Sequence, residues 1–144
     1  MSWNLEKVIT TSDDFTLFSA VKDLAFDAYY ADRNQVTPVQ AVVIDAWCAS
    51  GIIGGDGLWL GNYSRDDLKT WSESYKKLGM NQSAEVLLTA ATILPDEDAD
   101  ETDELSKKLH SLETVYYEED KTLSQVVARY IRDNPDQAIK KPEK

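Results

Sequence analysis

Few side chains in this 144-residue chain are of the kinds that do chemistry, and most of those are carboxylates. A run of nine residues holds seven of them: Asp96, Glu97, Asp98, Asp100, Glu101, Asp103 and Glu104. A second group, Glu113, Glu118, Glu119 and Asp120, lies on and just after the helix that follows. Asp96, Asp98 and Asp100 alternate as in a calcium loop. However, Glu101 stands where a glycine should turn such a loop, and Lys107 where a bidentate glutamate should close it. No metal or cofactor is therefore expected. His110, the only histidine, is flanked by Leu109 and Ser111 with no titratable cluster assured nearby, so it reads as a surface or packing residue. Cys48, the only cysteine, lies beside Trp47 on an apolar segment and reads as a small core hydrophobe.

Charge says more than these single residues. The formal net charge is −11, which argues against direct binding of nucleic acid and favours a cationic partner or simple solubility. Residues 95–120 carry eleven acids and two lysines, a net of −9, while the other 118 residues carry fifteen acids and thirteen bases, a net of −2. Carboxylates three or four residues apart on a helix lie about 5–6 Å from one another. DNA presents its backbone charges about every 3.4 Å of rise on each strand. A helix face with a flanking acidic loop can therefore approach the charge density of DNA. One cysteine rules out an internal disulfide and fits a reducing compartment. No cationic-then-apolar leader and no long apolar run is apparent, so a cytoplasmic location is expected.

The elements that must hold these acids are helical. Residues 1–11 suggest a short first helix with Trp3 as an anchor. Ser12 reads as the cap of the next, with Phe15, Phe18, Val21, Leu24, Ala25, Ala28 and Tyr29 along one face to about Asp32. Residues 33–36 connect to Thr37-Pro38, a cap-plus-first-turn signal. The helix it opens runs through Val42, Val43, Ala46 and Trp47, is apolar on much of its circumference, and is expected to be the most buried. It should end at Gly51, because five of the six glycines fall within residues 51–61 and imply a sharply turning loop; Trp59 and Leu60 sit inside that turn, so the loop is expected to dip into the core. The cluster lacks Gly-Lys-Ser/Thr and follows a helix, so it is no phosphate cradle. Ser64 with Asp67 then gives a capping box, and Leu68, Trp71, Tyr75 and Leu78 a stripe closed by Gly79. Asn81 or Ser83 caps a second helix carrying Ala84, Leu87, Leu88, Ala91 and Leu94, stopped by Pro95. The two form an αα-hairpin. Thr102 or Asp103 caps the acidic helix along Leu105, Leu109, Leu112 and Tyr116. Thr122 caps a last one through Leu123, Val126, Val127, Tyr130 and Ile131, halted by Asn134-Pro135. The expectation is an all-α, single-domain helical bundle of about six or seven helices over 1–136, with a glycine-rich loop before a central hairpin and a frayed tail over 137–144.

This order of features resembles a family of small acidic bacterial proteins, the DNA-mimic-protein family, otherwise known as a domain of unknown function. Members typically show Asn-Gly-Gly-Phe, then a pair of aromatic positions and an Asn, then an Ile-Gly-Ala turn between two helices. Here Gly54 and Gly55 match the glycine pair, Trp59 and Leu60 the aromatic positions, and Asn62 the Asn. Leu78 and Gly79 match the helix end, and Ala84, Leu87, Leu88 and Ala91 the helix after it. Leu112, Tyr116, Tyr117, Leu123, Tyr130 and Ile131 are similar to the family's closing pair of helices, and the likeness covers roughly residues 36–136. It departs at Ile53, Asp56 and Met80, where the family usually has Asn, Phe and Ala.

The resemblance implies a non-enzymatic protein that occupies the DNA-binding surface of a basic partner, such as a helix-turn-helix transcription regulator. It also suggests a homodimer. The eleven acids named above are the candidate contacts. Two other classes fit the residues: an immunity-type protein neutralising a cationic toxin, and an enzyme using residues 51–62 as a pocket floor with Asp56 as base.

Overall fold

The computed structural model describes residue 9 and residues 12–58, 63–95 and 102–142, with Asp56 described by its backbone alone. Among these residues the fold is all-α, with seven helices and no strand. They are α1 (Asp14–Ala31), α2 (Pro38–Asp56), α3 (Arg65–Lys77), α4 (Asn81–Ile93), α5 (Asp103–Asp120), α6 (Leu123–Asp133) and α7 (Pro135–Ala138). A single 3-10 turn, Arg33–Gln35, links α1 to α2. The expected short helix over 1–11 lies outside the described residues apart from Ile9. Contacts gather the chain into two compact units, residues 1–47 with 122–144 and residues 48–121.

In the first unit α1 packs on α6. Leu17, Val21 and Ala25 of α1 and Val127, Ala128 and Ile131 of α6 are fully buried. The cap of α1 is Asp13, one residue beyond the expected Ser12; its side chain takes the Thr16 N–H at 2.7 Å. Arg132 fastens the start of that helix, donating to the carbonyls of Ile9 and Ser12 at 3.1 and 3.0 Å and pairing with Asp14 at 2.8 Å. A carboxylate stripped of water must be paired. The fully buried Asp45 of α2 accordingly meets the Arg33 guanidinium at 2.8 Å and the Tyr29 hydroxyl. Burial, then the Asp45 carboxylate, pushes the Tyr29 pKa up.

Part of the expected frayed tail is docked. The buried Gln40 side chain donates to the carbonyls of Ala138 and Lys140 at 3.1 and 2.6 Å, and Thr37 donates to that of Gln137 at 2.9 Å. Ala138 is fully buried. An amide in the first turn of α2 thus supplies partners that the polar composition of 137–142 did not disclose.

The second unit holds the end of α2 and helices α3 to α5. Helix α2 does not stop at Gly51 but runs through Gly51, Gly54 and Gly55 to Asp56. A helical glycine costs only about 1 kcal/mol relative to alanine. The complete burial of Ala49 and Ile53 outweighs that. Among the described glycines of residues 51–61, Gly57 alone, at φ +75°, makes a turn that other residues resist. Trp59, Leu60, Gly61 and Asn62 lie outside the described residues. The window 38–55 is long and apolar enough to cross a bilayer by composition, yet 56% of it is buried inside the fold, as in a core helix.

The hairpin of α3 and α4 forms as the spacing predicts. Ser64 and Asp67 make the reciprocal capping box. At the other end Gly79 takes φ +80°, and the Met80 and Gly79 N–H groups return to the carbonyls of Tyr75 and Lys76 at 2.9 and 3.0 Å. That pair of bonds is a Schellman motif. The cap position of α4 is Met80, not Asn81 or Ser83, and it offers no side-chain bond.

Candidate protein-binding surface

The eleven candidate acids fall into three groups. Asp96, Glu97, Asp98, Asp100 and Glu101 lie outside the described residues. Asp103, Glu104 and Glu118 are exposed on α5. The remaining three turn inward.

Helix α5 begins after Thr102, whose hydroxyl accepts the Leu105 N–H at 3.2 Å. Asp103 and Glu104 occupy its first turn, where the positive end of the helix dipole favours them. Glu118, near the other end, pairs with Lys121 at 2.9 Å between two side chains that are 75% and 70% exposed. Such a pair contributes little to stability.

Glu113, Glu119 and Asp120 behave differently, and the expectation that they are outward contacts needs correcting. Glu113 Oε1 accepts the Leu58 N–H at 2.9 Å, just past the end of α2. A Cβ on Gly57 would fall 2.7 Å from that same oxygen, which a flexible glutamate can withdraw only by giving up the Leu58 N–H; the φ of +75° is what calls for glycine. Glu119 Oε1 accepts the Ser83 N–H at 2.8 Å and so serves the α4 N-terminus that Met80 leaves uncapped. Asp120 Oδ2 accepts the Ser50 hydroxyl at 3.0 Å, while its Oδ1 is buried with no partner among the described residues. Burial raises the Asp120 pKa, and the Ser50 bond offsets part of this.

The cause is helical period. Leu109, Leu112, Tyr116 and Asp120 recur at three and four residues, and Glu113 and Glu119 border that stripe. Tyr116 is fully buried and shares a 2.7 Å hydroxyl contact with Tyr75. Tyr117 donates to the Ile53 carbonyl at 2.9 Å. Carboxylates on the edge of a buried stripe find backbone donors sooner than solvent. That spacing is readable in the sequence and separates the inward acids from Asp103, Glu104 and Glu118.

The residues considered for catalysis have plain surroundings. His110 is exposed on α5, and its carbonyl takes the Thr114 hydroxyl at 2.9 Å. Asp56 ends α2, so residues 51–56 are helix and not the loop expected there, and residues 59–62 lie outside the described residues. Cys48 is half-buried, more open than the core position expected for it. Among the described residues no three of His, Cys, Asp or Glu converge on a metal-sized site. A cleft of about 550 Å³ lies beside the start of α2, lined by Thr37, Gln40, Lys140 and Lys141 among others. Its buried amide, Gln40, is already committed to the tail.

Residues 48–121 carry sixteen acids against seven bases, a net of −9, and the other unit ten against eight, a net of −2. The fold and this imbalance define a class: a small all-α acidic protein whose excess charge is concentrated in one unit. The chain belongs to the DMP19-like protein family, whose model matches residues 34–134. No curated protein and no solved structure matches it.

Proposed function

We propose that this chain is a non-enzymatic acidic binding protein that occupies the DNA-binding surface of a basic regulator, of the helix-turn-helix type, and keeps it from its operator. The reading rests on one observation, membership of the DMP19-like family, which is a family of DNA mimics. The charge distribution supplies the physics. Arg and Lys side chains that normally meet phosphates take carboxylates as partners in their place. The contact is made by Asp96, Glu97, Asp98, Asp100, Glu101, Asp103 and Glu104, with Glu118 further along α5. A cytoplasmic site of action goes with such a partner.

The test has two steps. The chain is used to capture its partner from the native host, and the purified partner is then assayed for DNA binding with the chain added. Displacement of DNA, weakening steeply as salt rises, is the expected result. The quadruple variant Asp98→Asn, Asp100→Asn, Glu101→Gln and Glu104→Gln should lose displacement while its thermal stability stays level or rises. A partner that keeps its DNA in the presence of the chain, or that binds the quadruple variant with unchanged affinity, overturns the proposal.

A further inference from the structure

The cleft beside the start of α2 runs against the composition of the chain, which has 26 acids and 15 bases. Lys140 and Lys141 stand on its wall, and no acid among the described residues does. Lys22 and Lys121 each pair with a carboxylate at 2.6 and 2.9 Å, but neither cleft lysine meets one among the described residues. Asn34 and Gln35 line the same space, and their side-chain amides are likewise without a hydrogen-bond partner there. The volume of about 550 Å³ falls in the range of small-molecule sites, roughly 300–1,000 Å³.

The lysines are on that wall because the tail is fastened. Burying an amide is costly unless it is bonded. The fully buried Gln40 gives both of its amide hydrogens to the Ala138 and Lys140 carbonyls, and Thr37 adds a bond to Gln137. Solubility alone asks for no such anchor. The start of α2 is not itself the receptor: Pro38 has no N–H, and Thr37 takes those of Gln40 and Ala41 at 3.1 and 2.9 Å. What the cleft offers is two ammoniums and two amides.

That donor set selects the ligand. No guanidinium lines the cleft, and a planar fork is what matches a carboxylate. Ammoniums act as point charges and suit a compact dianion rich in acceptor oxygens, as a phosphate ester is. A bare phosphate is far smaller than the cleft, and Val36 and Pro142 supply apolar wall for more. We propose that the cleft binds a small phosphate monoester, its head met by Lys140 and Lys141 and its organic part lying against Val36 and Pro142. The inference is independent of the proposed function: the cleft belongs to the unit of residues 1–47 and 122–144, and the acids offered there to the other.

Titration of the full chain in phosphate-free buffer, followed by amide NMR spectra, tests it with phenyl phosphate, inorganic phosphate and phenol as probes. Phenyl phosphate should shift the Asn34, Gln35, Lys140 and Lys141 amides saturably and bind roughly threefold or more tighter than inorganic phosphate; phenol should shift none of them. Lys140→Gln combined with Lys141→Gln should weaken binding roughly tenfold or more. Both side chains are exposed and the bonds of the tail are to backbone, so the fold is kept, as unchanged amides elsewhere would verify. Lys107→Gln with Lys108→Gln, exposed on α5, removes the same charge and should leave the affinity unchanged. The proposal is overturned if neither phosphate gives a saturable shift, or if phenyl phosphate binds no tighter than inorganic phosphate or phenol. It is equally overturned if the Lys140 and Lys141 pair can be replaced with no more loss than the Lys107 and Lys108 pair.

Discussion

Replacing Glu113 separates two roles that its charge alone would confuse. If the carboxylate is a partner contact, removing its charge weakens binding and leaves the fold untouched. If it is a fastening for the turn after α2, the reverse holds. The structure favours the second: Oε1 receives the Leu58 N–H at 2.9 Å, and Leu58 is 2% exposed. A hydrogen bond to a charged acceptor contributes about 1.5–3 kcal/mol, and an orphaned buried donor costs about 1–3 kcal/mol. Glu113→Ala should therefore destabilise by roughly 2 kcal/mol, read as a fall in Tm of about 4–8 °C for a chain of this length. Glu113→Gln retains a neutral acceptor at the same place and should lose less than about half as much.

Urea titration of the three proteins gives the stabilities, and hydrogen exchange at the Leu58 amide locates the effect. In Glu113→Ala that amide should exchange faster, while amides in the middle of α3 slow or speed only with global stability. Displacement of DNA from the partner by Glu113→Gln should match that of the unaltered chain. Equal stability of Glu113→Ala and the parent would refute the fastening role. Weakened displacement by the stable Glu113→Gln would restore Glu113 to the contact surface.

Two further outcomes are expected. Gly54→Ala should stabilise the protein by about 0.5–1 kcal/mol, because the residue is helical and a Cβ there meets nothing within 4 Å; Gly79→Ala, equally unobstructed but at φ +80°, should destabilise by about 1–2 kcal/mol, and thermal melts of the pair would expose a misplaced end of α2 if both lost stability. Asp120→Asn should change the pH dependence of folding. The folded-state pKa of Asp120 is raised by burial, so its ionisation opposes folding: the penalty is absent below the unfolded value of about 3.9, and complete above the folded one. The stability advantage of Asp120→Asn over the parent should accordingly be present at neutral pH and vanish on acidification through that window, and urea titrations showing a constant gap at all pH would contradict it.

What could be read from the sequence was what short-range chemistry decides. The Ser64–Asp67 box and the Gly79 turn depend on residues within four positions of each other, and both stand as the spacing predicts. The end of α2 depends on distant packing, which is why three glycines failed to mark it: Ile53 is buried completely, and Tyr117, sixty-four residues later, takes its carbonyl. The tail went unread for the same reason, since Gln40 reaches it across about a hundred positions. Met80 shows a third case. A helix start with no cap of its own borrows one from Glu119, and nothing near Met80 announces that.

The same long-range borrowing changes what the acidic composition means. A count over residues 95–120 treats eleven carboxylates as one surface, but a helix distributes consecutive residues around its whole circumference. Three of the acids on α5 fall beside the buried stripe and hold Leu58, Ser83 and Ser50. On the outward side Asp103, Glu104 and Glu118 share the helix with the exposed Lys107 and Lys108, so that face alone has a charge near neutral. On the proposed function, charge density comparable to DNA therefore has to come from the segment before α5, where Asp96 to Glu101 supply five acids in six residues without a base. It follows that neutralising Asp96, Glu97, Asp98, Asp100 and Glu101 should reduce displacement of DNA far more than neutralising Asp103, Glu104 and Glu118. The comparison controls for net charge if each set is scored per carboxylate removed. Equal loss per carboxylate would mean that the partner reads overall charge, and the assignment of the contact to this segment would fail.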